Sequence, residues 1–417
     1  MLKQDLRVVN HAVATGRTVA QGKASLPDRW LVRRLLDSVG QPPITIALWD
    51  GVEFSPSGAA AVARLVIRDR RSLQKLAANP QYEFGELYCA GRIEVEGDLP
   101  AFLDTVYRHL LASGLRTRVL HVLSRYQNNS PDRARDNIHH HYDLGNEFYR
   151  LWLDDRMVYT CAYFPTPDAS LEQAQIAKFE HVCRKLRLKP GERVVEAGSG
   201  WGALALHMAR HYGVSVTAYN ISHEQIAYAR AGARREHLHE RVEFIEDDYR
   251  AIRGKFDVFV SVGMLEHVGL DNYAALGKVI DAVLTDEGRG LIHSIGRDRP
   301  GPMNSWITRR IFPGAYPPSI SEMMTLFEPL GFSVLDIENI RLHYAKTLEH
   351  WLARFDANAE RIETMFDASF VRAWRLYLAG SLAAFTSGEM QLFQVLFNRH
   401  GNNQVPWTRA ELYREQP

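Results

Sequence analysis

The stretch Val194-Val195-Glu196-Ala197-Gly198-Ser199-Gly200-Trp201-Gly202 decides the fold. Its first half belongs to a short, β-branched apolar run over 193–197, the pattern of a buried parallel strand, and 201–211 carry apolar residues at helical spacing. Glycines between them let the backbone come close to a ligand, and the opening turn of a helix offers unpaired amides. Strand, acid, bare turn and helix in that order describe a nucleotide-cofactor loop.

Two cofactor classes use such a loop. A dinucleotide site takes G-x-G-x-x-G or its alanine-ended form, then an acid about 20 residues on for the ribose. Gly198, Gly200 and Ala203 meet the first condition, but the next strand, 214–220, ends in Asn220. Glu196 ahead of the first glycine and the tight G-x-G-x-G suit an S-adenosylmethionine-dependent methyltransferase better. Working outward, strand and helix keep alternating. Ser222, with Gln225 three residues on, opens a helix to about 237. Strands follow at 241–246, at 256–263 (apolar on both faces, hence central), at 290–295 and at 332–340, with a helix at 272–284. The alternation predicts an α/β, doubly wound Rossmann-like sheet over 190–345.

At 417 residues the chain exceeds one ordinary domain. A polar linker at 125–137 divides a smaller α+β domain, 1–124, from a larger one, 138–417. The smaller part shows helices at 29–38 and 99–111 and strands at 44–48 and 63–67. From about 347 the pattern is helical, with aromatics from Trp351 to Phe397. With 50 basic and 49 acidic residues there is no overall charge to attract nucleic acid. No apolar stretch reaches the roughly 20 residues that span a bilayer, and 1–18 lack the apolar core of a signal peptide, so a cytoplasmic location is expected. Cys89, Cys161 and Cys183 have neither metal-like spacing nor the number for a disulfide framework. Adjacent side chains diverge, so His139, His140 and His141 do not predict a metal site.

Several motifs occur together in one order: H-Y-D-L-G-N at 141–146, Y-T-C-A-Y-F at 159–164, E-A-G-S-G-W-G at 196–202, I-S-x-E-Q at 221–225, D-Y-R at 248–250 and S-V-G-M-L-E-H-V-G at 261–269. I-F-P at 311–313, T-L-x-x-W at 347–351 and Q-L-F-Q-V-L-F at 391–397 follow. In this order they resemble the cyclopropane fatty acid synthases, over about 138–400. Before 125 the resemblance rests on G-E-x-Y-x-x-G at 85–91. Ser199 departs from the cysteine common in the glycine loop, and Ser381 from a cysteine present in some members.

The resemblance implies a class I methyltransferase fold and a reaction in which the methyl carbon of S-adenosylmethionine is added across a cis double bond of a phospholipid acyl chain, closing a cyclopropane. An unactivated alkene is a poor nucleophile, so the reacting carbons must be aligned in a water-excluded site. By resemblance the base is a bound bicarbonate, held by Cys161, Glu266, His293 and Tyr344 and by the backbone at Ile295. An anion beside Glu266 requires a proton on one of the two or compensating charge from His293. Taken singly, Cys161, His293 and Tyr344 would read as core residues.

For the cofactor, Gly198, Gly200 and Gly202 are expected to bring amides to the methionine part, Asn220, Ser222 and Gln225 to lie at the ribose, and Asp248 and Tyr249 at the adenine. Tyr159 and Thr160 would close over it. Ser222 and Gln225 read equally well as a capping box.

Resemblance also implies a homodimer working at a phospholipid membrane surface, on the inner face of the cell membrane. The smaller domain would present lipid or dimerise, and the C-terminal helices would pack on the sheet and help enclose the acyl chain. Segment 297–319, with Trp306, Arg309, Arg310, Phe312 and Tyr316, is expected to cover the acyl pocket, its arginines meeting headgroups. The helix with Arg29, Trp30, Arg33 and Arg34 either touches the membrane or packs within its domain. A methyl-branched or methylene-bearing product is the alternative outcome.

Overall fold

In the computed structural model, which describes residues 7–10, 22–56, 60–112 and 144–413, the chain divides into two compact units. The linker 125–137 and the three histidines lie outside the described residues. The division is not a single cut. One unit joins the N-terminal part to 304–311 and 355–389, and the other holds 124–303, 312–354 and 390–417.

The first unit starts with β1 (Arg7–Asn10), α1 (Leu26–Ser38), β2 (Thr45–Leu48), β3 (Val52–Ser55), β4 (Arg64–Ile67), α2 (Arg70–Ala78), α3 (Pro80–Cys89), β5 (Ile93–Glu96) and α4 (Leu99–Ala112). Its sheet runs β1-β3-β2-β4-β5, with only β2 and β4 parallel. Ser25 caps α1 through a capping box with Asp28, whose carboxylate also pairs with Arg70 on α2.

The second unit contains α5 (Asn146–Arg150), α6 (Leu171–Leu186), β6 (Arg193–Ala197), α7 (Ala203–Tyr212), β7 (Ser215–Asn220), α8 (His223–Arg235), β8 (Val242–Glu246), β9 (Phe256–Val262), α9 (Leu265–Val268), α10 (Tyr273–Val283) and β10 (Leu284–Gly296). The chain then contributes α11 (Ser305–Arg310) to the first unit, returns for β11 (Phe332–Asn339) and α12 (Arg341–Ala357), gives α13 (Ala359–Met365) and α14 (Ala368–Ser387) to the first unit, and ends the sheet with β12 (Gln391–Arg399). The order is β11-β12-β10-β9-β6-β7-β8, parallel from β10 to β8, with β12 antiparallel to both its neighbours. Val194, Val195, Val258, Phe259 and Val260 in the central strands are fully buried. Each such side chain contributes about 1.5–3 kcal/mol of transfer free energy. The expected doubly wound α/β sheet is therefore present.

Three expectations are corrected. Residues 391–399, read as part of a helical C-terminus, form β12, because a short apolar run buried on both faces has no periodicity to tell it from a helix. Gly388, in the left-handed region at φ 87°, ends α14 just before it. Secondly, the helical C-terminal segment is expected to pack on the sheet, but 355–389 cluster with the N-terminal elements: α14 packs on α4 and α3, and Arg372 donates to the Tyr88 carbonyl at 2.6 Å and to Glu94 at 2.9 Å.

Finally, within 297–319 Trp306 is not offered to a headgroup region, while Arg309 and Arg310 stay exposed and are held by N-terminal residues. Trp306 is buried with its ring against Gly85, where a Cβ would lie 2.5 Å from ring carbons, and it donates to Glu86 at 3.1 Å. Arg310 pairs with the same Glu86, and Arg309 lies 4.6 Å over the Tyr82 ring. The G-E pair that opens the 85–91 motif is thus a receptor for α11.

Candidate active site

A cavity opens at the carboxyl ends of β6, β7 and β9, where the strand order reverses and ligands of open α/β sheets bind. Of the expected cofactor residues, Tyr159, Thr160, Glu196, Gly198, Gly200, Asn220, Gln225, Asp248 and Tyr249 line it. Gly202 and Ser222 do not. Gly202 has φ 87°, and a Cβ there would meet Phe244 and Ala229 at 2.6 and 2.8 Å, so its bareness serves helix-to-strand packing. Ser222 is fully buried as the N-cap of α8, accepting from the Gln225 amide at 3.4 Å.

The loop amides are also differently used than expected. Gly198 N–H and Ser199 N–H both donate to the Tyr219 carbonyl, at 2.9 and 3.1 Å, and Gly202 N–H donates to the Ser199 carbonyl at 2.9 Å. These amides hold the turn. Asn220 ties two walls together, donating to the Gly200 carbonyl at 3.2 Å and to Gln225 at 2.7 Å.

Capacity for a ligand lies in side chains. Glu196 Oε2, Ser199 Oγ and the Tyr249 hydroxyl are buried without a hydrogen-bond partner. Buried polar atoms are normally paired, so three orphans around one cavity mark a polar ligand's contacts. Tyr159, Trp201, Tyr219 and Tyr249 add aromatic faces. Aromatic faces with a carboxyl suit a sulfonium cation, and adenosine has the polar edges to satisfy the orphans. The residues fit S-adenosylmethionine.

An aromatic cluster fixes this wall. Asn146 on α5 accepts from Trp201 Nε1 at 2.6 Å, Tyr149 lies 5.0 Å from Trp201 and 5.5 Å from Tyr159, and Trp351 lies 5.3 Å from Tyr159 and 5.9 Å from Tyr344. Asn146, Tyr159, Trp201 and Trp351, which belong to motifs far apart in the chain, are in this way brought into one cluster.

Cys161, Glu266, His293 and Tyr344 do not line the cavity, though Thr160 and His267, neighbours of the first two, do. Glu266 on α9 accepts from Ser294 Oγ at 2.9 Å and from the Ile295 amide at 3.3 Å, next to His293 on β10. The Ile295 amide, expected to face bicarbonate, is engaged with Glu266. Cys161 and Tyr344 approach through Thr347, which accepts from the Ala162 amide at 3.0 Å one turn after Tyr344 on α12.

Burial dominates the electrostatics here. It pushes the Glu266 carboxyl up to about 7 against the pull of its hydrogen bonds, raises the Cys161 thiol, and holds His293 well below its ordinary value. His293 is therefore neutral. Gln394 Nε2 lies 3.1 Å from His293 Nδ1 and, as an amide donor, assigns the ring proton to Nε2.

Sequence reasoning did not single out Lys178, Tyr219 or Met264, which also line the cavity. A signal for Lys178 existed: it falls on the apolar stripe of α6 between Leu171 and Val182, where a surface lysine would not. Among the described residues there is no group of His, Cys, Asp or Glu that would hold a metal, and no helix long and apolar enough to cross a membrane.

A profile of the family described as mycolic acid cyclopropane synthetase matches residues 129–395, and one of a domain of unknown function matches 31–113. The chain is 34% identical over 383 residues to a probable fatty acid methyltransferase of Pseudomonas putida, covering 89% of this chain and 96% of that protein. It is 35% identical over 354 residues to the cyclopropane-fatty-acyl-phospholipid synthase of Escherichia coli K12, covering 82% and 90%. The crystal structure of mycolic acid cyclopropane synthase CmaA1 complexed with SAH and CTAB superposes with a TM-score of 0.61 at 29% identity, covering 64% of this chain and 98% of that one.

Proposed function

The chain belongs to the mycolic acid cyclopropane synthetase family of S-adenosylmethionine-dependent lipid methyltransferases, and from that premise we propose that it converts cis double bonds of phospholipid acyl chains into cyclopropanes. The observation that carries this reading is Glu266: a buried carboxyl poised near neutrality, adjacent in the chain to cavity-lining His267.

When bound, the cofactor supplies an electrophilic methyl carbon on a sulfonium centre. Glu196, Ser199 and the aromatic wall receive its amino-acid and sulfonium parts, Asn220 with Gln225 the ribose, and Asp248 with Tyr249 the adenine. Tyr159 and Thr160 exclude water from the reacting carbons.

Ring closure releases a proton from the transferred methyl group, whose C–H electron pair forms the new ring bond as the methyl becomes the ring methylene. Bicarbonate, held by Cys161, Glu266, His293 and Tyr344, is the proposed base. Below about pH 7 Glu266 keeps its proton, so it donates to an oxyanion instead of repelling it, and His293 Nε2–H donates without needing a charge. For the Ile295 amide to join them it must leave Glu266 Oε1. We further propose a homodimer acting peripherally at the inner face of the cell membrane. Similarity to a probable fatty acid methyltransferase favours one second reading, a methyl-branched or methylene-bearing chain.

Purified protein incubated with S-adenosylmethionine, bicarbonate and vesicles of cis-unsaturated phospholipid is expected to yield cyclopropane chains, separated by gas chromatography against branched standards. A branched or methylene product would overturn ring closure and leave the cofactor assignment standing.

A further inference from the structure

Cys161 is fully buried, yet it lies in a stretch, 151–170, that forms neither helix nor strand, so its backbone must be held from outside. Three amides in a row show how. Ala162 N–H donates to Thr347 Oγ1 at 3.0 Å, Tyr163 N–H to the Ala174 carbonyl at 3.0 Å, and Phe164 N–H to His343 Nδ1 at 2.9 Å. Thr347 and His343 are one turn apart on α12 and Ala174 is on α6, so the segment is held by two helices alternately. Thr160, just upstream, belongs to α6 alone. Its carbonyl accepts from Gln175 Nε2 at 2.9 Å and its Oγ1 from Lys178 Nζ at 3.0 Å.

The two acceptors on α12 differ in kind. Thr347 donates its own proton to the His343 carbonyl at 2.7 Å, which leaves oxygen lone pairs for the Ala162 amide, and it also bonds the Cys161 thiol. His343 accepts with a ring nitrogen. An amide N–H needs a lone pair opposite it, so this imidazole is neutral with its proton on Nε2. A proton on Nδ1 would set two N–H groups against each other at 2.9 Å and break the bond. Stacking fixes the ring: the Tyr163 ring lies 4.5 Å from His343 and 4.2 Å from His181 of α6, close to parallel with both. Beyond Tyr163, His181 bonds Glu338 of β11 at 2.7 Å, Lys185 pairs with the same carboxylate, and Arg184 and Tyr413 act on Tyr163 itself. Two turns along α12, His350 stacks on Phe164 at 5.5 Å. Burial holds His343 below its ordinary value, with Glu338 pulling the other way, which keeps the acceptor free at neutral pH.

We propose that His343 is a positioning residue for the Cys161 corner of the anion site, its Nδ1 serving as a catch that holds the 161–164 segment on α12 and opens when protonated. This role rests on the reading of Cys161 and Tyr344 as bicarbonate ligands. Those two residues belong to the two segments that the catch joins, Tyr344 being next after His343 on α12, so the catch sets their separation. The cofactor rim at Thr160 stays with α6 whether the catch is open or closed. Since the neutral ring is the working form, the catch is closed at neutral pH and opens as pH falls through the lowered His343 value.

Amide exchange and steady-state kinetics of the full chain test the catch. With isotope-labelled phenylalanine, NMR is expected to show the Phe164 amide exchanging slowly near neutral pH and faster as pH falls from about 6.5 to about 5. Intrinsic exchange runs the other way over that range, and the Phe259 amide in the central strand β9 should follow it, which separates opening of the catch from unfolding. His343→Phe keeps a ring for Tyr163 and loses the acceptor. Its KM for bicarbonate rises about tenfold, while kcat at saturating bicarbonate and affinity for S-adenosylmethionine change less than about twofold. His343→Asn loses the ring and keeps an acceptor, Oδ1, at the place of Nδ1. At neutral pH it returns the KM to within about twofold of wild type, and its Phe164 exchange no longer quickens toward acid. A Phe variant with the wild-type KM, an Asn variant no better than the Phe one, or Phe164 exchange that slows toward acid beside Phe259 overturns the catch. A wild-type enzyme indifferent to bicarbonate overturns the anion-site reading instead, and Phe164 exchange then decides alone whether the catch exists. The wild-type exchange measurement stands if either variant fails to fold.

Discussion

Tyr249 and Glu266 are both buried, one in the cavity at the strand ends and one a residue away from it, yet their polar atoms are treated in opposite ways. The Tyr249 hydroxyl has no hydrogen-bond partner, whereas each oxygen of Glu266 has one. An unmet buried hydroxyl costs about 1–3 kcal/mol in the free protein, a cost that a ligand removes on binding. Glu266 has its partners but not its water, and what its surroundings change is proton affinity. The cavity is built to bind, and the Glu266 group is built to hold or yield a proton.

The largest effect that would sharpen this contrast is expected from Glu266→Gln. The amide keeps the shape and still accepts from Ile295, but it cannot exchange a proton. Product formation on vesicles falls about 100-fold or more, while cofactor affinity measured by calorimetry is unchanged. The pH dependence carries a definite sign. Because burial raises Glu266 to about 7, the protonated form that tolerates a neighbouring anion is lost as pH rises through that value. At saturating cofactor, the bicarbonate-dependent rate should therefore fall across that window. A rate that rises there, at a bicarbonate concentration held constant, would count against the protonated Glu266 as the working form.

Tyr249→Phe probes the other side of the comparison. Removing an unpaired hydroxyl leaves the melting temperature level or slightly higher, but S-adenosylmethionine affinity drops about tenfold by calorimetry. If affinity is unaffected, the orphaned hydroxyl does not mark the cofactor site. The smallest effect is expected from Ser222→Ala, where loss of the cap of α8 lowers stability by about 1 kcal/mol in denaturant unfolding. Cofactor affinity there should stay within about twofold, because Ser222 does not line the cavity.

The cofactor half of this site was readable from residue order. A β-branched strand, a glycine turn and an amphipathic helix are local patterns, so β6, α7, β7 and the capped α8 fall where periodicity and Ser222 place them. The separate motifs were legible as a set only through the resemblance, since nothing local says that Asn146 will hold Trp201 or that Thr347 will hold the loop at Ala162. Direction of hydrogen bonding was not legible at all. The glycine loop invites a ligand by its composition, yet its Gly198 and Ser199 amides turn to the Tyr219 carbonyl, a strand away.

The first unit shows the same limit on a larger scale. Residues 85–91, 304–311 and 355–389 carry no shared pattern, and they belong together because the Trp306 ring needs the bare surface of Gly85 and Arg372 needs Tyr88 and Glu94. Deleting 1–124 would accordingly strip α14 of α4, its packing partner, as well as remove a domain.

Local chemistry was enough to determine the α/β sheet, the cofactor loop and the residue types that point to S-adenosylmethionine, because propensity and periodicity act over a few neighbours. Only tertiary contact decided that 391–399 would be a strand, that Gly202 and Ser222 would serve packing, and that Lys178 would stand buried in the cavity wall. Those outcomes depend on burial and on charges brought together from distant parts of the chain, and no spacing along the sequence encodes either.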